Sequence, residues 1–331
     1  MRISELRSEV RAQLLEFAWD QWAQLGVFAT ARREDRWAAD PEALLLFTFE
    51  VARADARLFE EVLDWLVVNE RLVSVQRLRN LCRDGTDRAL VDASLAWAAQ
   101  WRPRPRLVSR EGGGEASAAE PLFRDSRLRV AHPDEAFRSH GWLKPRTEPS
   151  HKSRPPDLLA PINFAFRLRQ ILGVGARAEA VRVLLTIDAS RVTALDVAEL
   201  AGYAKRNVQE ALSALHSSGV IDAVTVGNEQ RFGIARDRWA ALLGVVMDDL
   251  PTHQAWPQLL HALRVLVRWL EDDRHDNLSD YMLASEARTV ADGIMPELRY
   301  AGVRLDGRGR SGAQYWQDFV ELVRAAVGAL A

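Results

Sequence analysis

The chain reads as mainly α, with one short β-hairpin set between helical flanks. Three observations predict this class. Apolar residues recur at helical spacing over most of the 331 residues. Around residues 220–234 that spacing gives way to β-branched runs on either side of Gly227-Asn228. Between the helical stretches, residues 101–161 hold nine of the 13 prolines and mark off separate units.

In residues 1–100, Glu5 to Gln24 places Leu6, Val10, Leu14, Phe17, Ala18 and Trp22 on one stripe. Pro41 to Arg53 opens with proline in its first turn, and Leu58 to Asn69 follows as a third helix. Ser74 is placed to cap Val75 to Cys82, and Asp87 to Gln100 completes a pair with helix-turn-helix spacing. That pair offers Arg77, Arg79 and Arg88 to nucleic acid, but the same spacing arises in any helical packing or dimerisation unit, which is the expectation here.

Residues 101–161 read as a linker with 12 basic and eight acidic residues. Arg102, Arg104 and Arg106 alternate with Pro103 and Pro105, so the backbone is extended and suits either an arm along phosphates or an acidic partner, or a solvated tether. Gly112-Gly113-Gly114 adds freedom. Leu128 to Val130 and Ala136 to Leu143, with Phe137 and Trp142, are apolar enough to dock on a neighbour.

Residues 162–244 carry the pattern with most functional content. Thr193 caps Ala194 to Ala201, which turns Leu195, Ala198 and Leu200 inward, and Gly202 stops it. After Tyr203, Ala204 to Ser217 buries Val208, Leu212 and Leu215 and presents Lys205, Arg206, Asn207, Gln209 and Ser213 on the other face. Gly219 ends that helix. Val220 to Val226 and Gln230 to Ile234 form two strands about Gly227-Asn228, where a tight turn needs positive φ. A short helix, a glycine turn, a second helix and a hairpin in this order have the spacing of a winged helix-turn-helix, an arrangement suited to duplex DNA.

Glu199-Leu200-Ala201-Gly202 and Leu215-His216-Ser217-Ser218-Gly219-Val220-Ile221 resemble the core pattern of the bacterial ArsR and MarR type of winged-helix regulator, with one extra residue before the second glycine. The resemblance covers roughly a quarter of the chain. It implies a DNA-binding regulator whose base- and phosphate-facing positions fall on Lys205, Arg206, Asn207, Gln209 and Ser213, with Arg231 of the wing near a phosphate. Glu210 departs from the pattern, since a carboxylate there repels phosphate unless it accepts from a cytosine amino group or pairs with Arg206 or a neighbour.

Residues 245–331 are again helical. Arg238 to Met247 and Ala255 to Leu270 are amphipathic, the second with Trp256, Leu259, Leu260, Leu263, Leu266, Val267 and Leu270 in one broad stripe. Ala313 to Leu330 repeats this with Trp316, Phe319, Val320, Val323 and Val327. Such stripes predict a homodimer or an effector pocket, and a symmetric dimer would meet successive major grooves about 34 Å apart on a roughly palindromic site.

Charge and composition narrow the function. The net charge is −2, but residues 1–100 hold 13 basic and 17 acidic residues, 101–244 hold 22 and 16, and 245–331 hold nine and 13. A basic middle between acidic lobes aims the centre at phosphates. With 48% hydrophobic residues the chain is an ordinary globular one, and no apolar run approaches the roughly 20 residues of a membrane span. The start lacks a signal peptide's apolar segment, and the lone Cys82 forms no internal disulfide or thiolate cluster, so a cytoplasmic protein is expected.

Catalytic patterns are thin, and neither enzyme activity nor a cofactor or metal is expected. Glu271-Asp272-Asp273-Arg274-His275-Asp276 reads as a charged helix end, although a nucleic-acid enzyme could use Asp272, Asp273 and His275 on a metal. Asp306-Gly307-Arg308-Gly309-Arg310-Ser311-Gly312 lacks a phosphate-loop lysine and reads as a flexible turn before the last helix. His253 and His261 have no metal-ligand spacing, and His216 is placed to cap carbonyls. The expectation is a DNA-binding transcriptional regulator. The alternative is a protein-interaction module, an antitoxin-like or adaptor partner of a toxin or enzyme, working through the acidic lobes or the Arg/Pro linker.

Overall fold

Four of the first five helices begin where a side-chain oxygen meets a free N–H of the first turn. Asp40 accepts from Ala43, Asp55 from Leu58, Ser74 from Arg77 and Asp84 from Asp87, at 2.8–3.2 Å. In the computed structural model, which describes residues 1–32, 37–102, 119–124, 130–304 and 309–330, these helices are α2 (Pro41–Val51), α3 (Ala56–Asn69), α4 (Val75–Asn80) and α5 (Gly85–Gln100), after α1 (Ile3–Gln24).

The described part of residues 101–161 is not a free tether. A parallel pair of two-residue strands, β1 (Glu120–Pro121) and β2 (Trp142–Leu143), brackets α6 (Glu135–Arg138). Phe137 and Trp142 are buried, as the apolar content of Ala136 to Leu143 predicts, and Leu122 is buried with them. Lys144 is fully buried over Trp97 and Phe137, with its Nζ 2.6 Å from Glu60, and Asp64 accepts from the backbone of His151 and Ser153. Arg102 is tied to Glu70. Pro103, Arg104, Pro105, Arg106, the glycine triplet 112–114 and Leu128 lie outside the described residues.

Next come α7 (Phe164–Leu172), α8 (Ala176–Thr186), β3 (Val192–Thr193), α9 (Ala194–Ala201), α10 (Lys205–Ser217), β4 (Asp222–Val226), β5 (Glu229–Gly233) and α11 (Arg236–Leu243). They enclose their own apolar core of Leu168, Val181, Leu184, Val197, Leu212, Phe232 and Trp239, among others. The chain ends with α12 (Trp256–Leu270), α13 (Asp280–Tyr300) and α14 (Tyr315–Gly328).

These last helices do not form a body of their own. Residues on α1 to α5 and on α12 to α14 share one core, with α12 against α2 and α1, and α14 against α1. Every member of the α12 stripe, from Trp256 to Leu270, is buried within the chain, as are Phe319, Val320, Val323 and Val327 of α14. The dimerising role expected of these stripes therefore meets a physical obstacle: their apolar surface is already covered in cis. The middle unit is thus an insertion between two halves of one helical body. Mainly α architecture with small sheets is what the periodicity predicts, and among the described residues no helix is long and apolar enough to cross a membrane.

Candidate nucleic-acid interface

The turn between α9 and α10 is built from local chemistry. Thr193 Oγ1 accepts from Asp196 N at 3.2 Å and Asp196 returns the contact to Thr193 N at 2.8 Å, a reciprocal cap that fixes the start of α9. Val197, Ala198, Leu200 and Ala201 are buried, but Leu195, expected inward, is exposed, because α9 turns Val197 rather than Leu195 to the core. Gly202 ends α9 with φ 66°, where any Cβ would also lie 2.8 Å from Leu81. Tyr203 is buried, its hydroxyl 2.8 Å from Ser74 Oγ.

On α10, Val208, Ala211, Leu212 and Leu215 go inward. Lys205, Arg206 and Ser213 are exposed, and Asn207 and Gln209 are half-buried, so the five residues singled out on this helix all reach its outer side. The hairpin pairs Val226 with Glu229 across Gly227-Asn228, with positive φ (61°) at Gly227 alone, and β3 adds to β5 to give the order β3-β5-β4.

Strand alternation then sorts the hairpin side chains. Phe232 is buried, so Gln230, two residues away, and its partner Thr225 share the inner face; Gln230 Oε1 lies 3.5 Å from Gln209 Nε2, which also donates to Ser213 Oγ at 3.3 Å. Arg231 falls on the other face with Val224, Val226 and Glu229. The structure thus brings Gln209, Ser213 and Gln230 together and leaves Arg231 apart from them. Gln230 was hidden in the sequence because its facing depends on the register of the hairpin.

Electrostatically the face is nearly balanced. Arg206 Nε is 2.9 Å from Glu210 Oε1, one of the partners open to that carboxylate, and Arg231 is 3.7 Å from Glu229. All four side chains are exposed, so these pairs are weak and can reopen toward a phosphate. Lys205 has no carboxylate partner among the described residues.

Behind α9 lies a buried ionic set that joins the middle unit to the helical body. Glu42 accepts from Arg77 Nη1 at 2.8 Å and from Arg169 at 2.8 and 2.7 Å; Glu179 accepts from Arg169 and Arg182, and Asp40 from Arg77. Three guanidiniums face three carboxylates, all at most 3% exposed. Burial alone would raise the Asp40 and Glu179 carboxyls, but Arg77 and Arg182 outweigh it at Asp40, and Arg182, Arg169 and Arg77 at Glu179, so both stay below the usual carboxylate range. Arg77, a candidate DNA contact of the α4–α5 pair, is wholly buried here and donates through Nε to Ala201 O, while Arg79 and Arg88 pair with Asp92. Arg77 is therefore withdrawn from any nucleic acid by the docking of α9 on α4, whereas Arg88, on α5, keeps about half of its side chain in solvent.

Most members of the other polar clusters are paired within the chain. Glu271 pairs with Arg11, Asp272 with Arg274 and Asp276 with Arg7, and His275 stacks on Trp269 at 4.3 Å. Among the described residues no group of His, Cys, Asp and Glu is placed to hold a metal ion. Arg310 is bound by Asp318 at 2.6 Å, and Asp306, Gly307 and Arg308 lie outside the described residues. His261 meets Glu297 at 2.6 Å, and His216 lies 3.2 Å from the Ile221 carbonyl, beyond the helix end. Set beside known protein families, curated proteins and solved structures, the chain matches none of them.

Proposed function

We propose that the chain is a cytoplasmic, sequence-specific DNA-binding transcriptional regulator of the winged helix-turn-helix kind, with α10 in the major groove and the β4–β5 hairpin as its wing. The observation that supports this most is the polar face of α10, standing clear of the protein and continued onto the hairpin through Gln209 and Gln230. Asn207 and Gln209 carry amides suited to base edges, and Lys205 and Arg206 suit phosphates. Arg231, on the outer face of the hairpin, serves a phosphate flanking the wing. A homodimer on a roughly palindromic site would join through a surface other than the buried stripes of α12 and α14.

The test is selection of bound fragments from genomic DNA at two salt concentrations, followed by affinity measurement on the enriched site. Asn207→Ala or Gln209→Ala should lower discrimination by about 1–3 kcal/mol per lost base contact. Arg231→Ala should weaken binding to all sequences and reduce the salt slope by about one. Unchanged affinity in a Lys205→Ala/Asn207→Ala/Gln209→Ala variant would remove the proposal, and inverted symmetry in the enriched fragments would mark the dimer. The internal pairing of Arg206 and Arg231 favours a second reading, a protein-interaction module; retention of a protein partner with no enriched DNA would establish it instead.

A further inference from the structure

A groove of about 480 Å³ opens where α11 hands over to α12, between residues 158–164 and 244–252. Its floor is apolar, with Phe164 buried and Val245 and Leu250 half-buried. At its edge two side chains stand out into solvent, Leu159 at 73% and Val246 at 65% exposure, followed by Met247 at 52%. An exposed apolar patch rimmed by polar residues is the form an interaction surface takes. A small ligand would be wrapped by walls; side chains projecting past the rim suit a longer partner that lies across it.

The charge around the groove selects the partner. Asp248 and Asp249 line it, and neither has an ion-pair partner among the described residues. Asp157, just before the groove wall, is exposed as well, and its carboxylate accepts from the Leu159 backbone N–H. The one cation in the lining, Arg167, donates to the Leu243 carbonyl. The groove is therefore apolar with a negative rim.

We propose that it docks a basic amphipathic segment of a partner protein, apolar side chains in the groove and lysines or arginines against Asp248, Asp249 and Asp157. This inference is independent of DNA contact, since none of these residues lies on α10 or the hairpin.

A displayed library of short random peptides is selected on the full chain, and the survivors are measured by fluorescence polarisation. The expected survivors combine leucine or isoleucine with lysine or arginine, lose about tenfold or more in affinity on Val246→Ser, and lose it again on Asp248→Lys/Asp249→Lys. Because these residues are on the surface, circular dichroism and melting of each variant should match the parent. Survivors that are acidic, survivors indifferent to both variants, or no survivors at all would overturn the proposal. So would self-association of the chain in sedimentation that Val246→Ser abolishes, since a second copy would then be the occupant.

Discussion

Replacing Glu42 by Gln should destabilise the chain by about 3 kcal/mol or more, because breaking a buried, hydrogen-bonded ion pair from one side costs on the order of 3–5 kcal/mol. Glu42 has no exposed surface and accepts from two guanidiniums and from Ser74 N at 2.6 Å. Gln keeps the volume but removes the charge, leaving Arg77, Arg169 and Arg182 against Asp40 and Glu179 alone. Its amide NH₂ would also point at a guanidinium, donor against donor. A companion Glu42→Gln/Arg169→Gln variant returns the set to two charges of each sign. It should be more stable than the sum of its single changes by about 1 kcal/mol or more, since residues in one network are coupled. Urea unfolding followed by tryptophan fluorescence measures both, and hydrogen exchange on α7 to α10 tests whether the middle unit loosens first. A single variant within about 1 kcal/mol of the parent, or strictly additive changes, would refute the ionic set as the joint between the two bodies.

Other consequences follow from buried groups. Burial, then the Arg182 charge, pushes the His253 imidazole down to about 4, so the folded chain keeps it neutral where the unfolded chain protonates near 6.5. Stability should be full above about pH 6.5 and fall toward pH 4 by up to about 3 kcal/mol, and a pH series of unfolding midpoints should show a shallower fall for His253→Gln. Gly26→Ala should cost about 2 kcal/mol or more, since a Cβ there would sit 2.3 Å from the Arg154 carbonyl oxygen at φ 106°; melting against the parent would check it. Burial pushes the Cys82 thiol up to about 11, so a disulfide reagent should modify it slowly in the native chain and rapidly in urea. Equal rates in the two states would contradict that burial.

Helices with one apolar face were legible from the sequence. Val208, Leu212 and Leu215 mark α10 because its other face meets water, and the same holds for α1. Leu195 was misplaced because α9 is short and apolar on several sides, so adjacent registers fit almost equally. Helix α8 gave no stripe: every residue from Ala178 to Thr186 is buried, and Glu179 and Arg182 interrupt the apolar pattern. The pairing of Glu42 with Arg169, 127 residues apart, and of α2 with α12 leaves no local trace in the chain. The facing of Arg231 and Gln230 depends on register, which spacing alone does not set.

The middle unit enters and leaves the helical body at one place. Ala39 N donates to Ile162 O at 2.8 Å on the way in, and Trp37 bridges Thr252 on the way out. Anchored at both ends and clamped by salt bridges in between, it cannot swing on a single strand as a tethered head would. The groove at that junction is lined by Pro161 and Thr252, so whatever fills it rests on the same two crossings that fix how α10 is held.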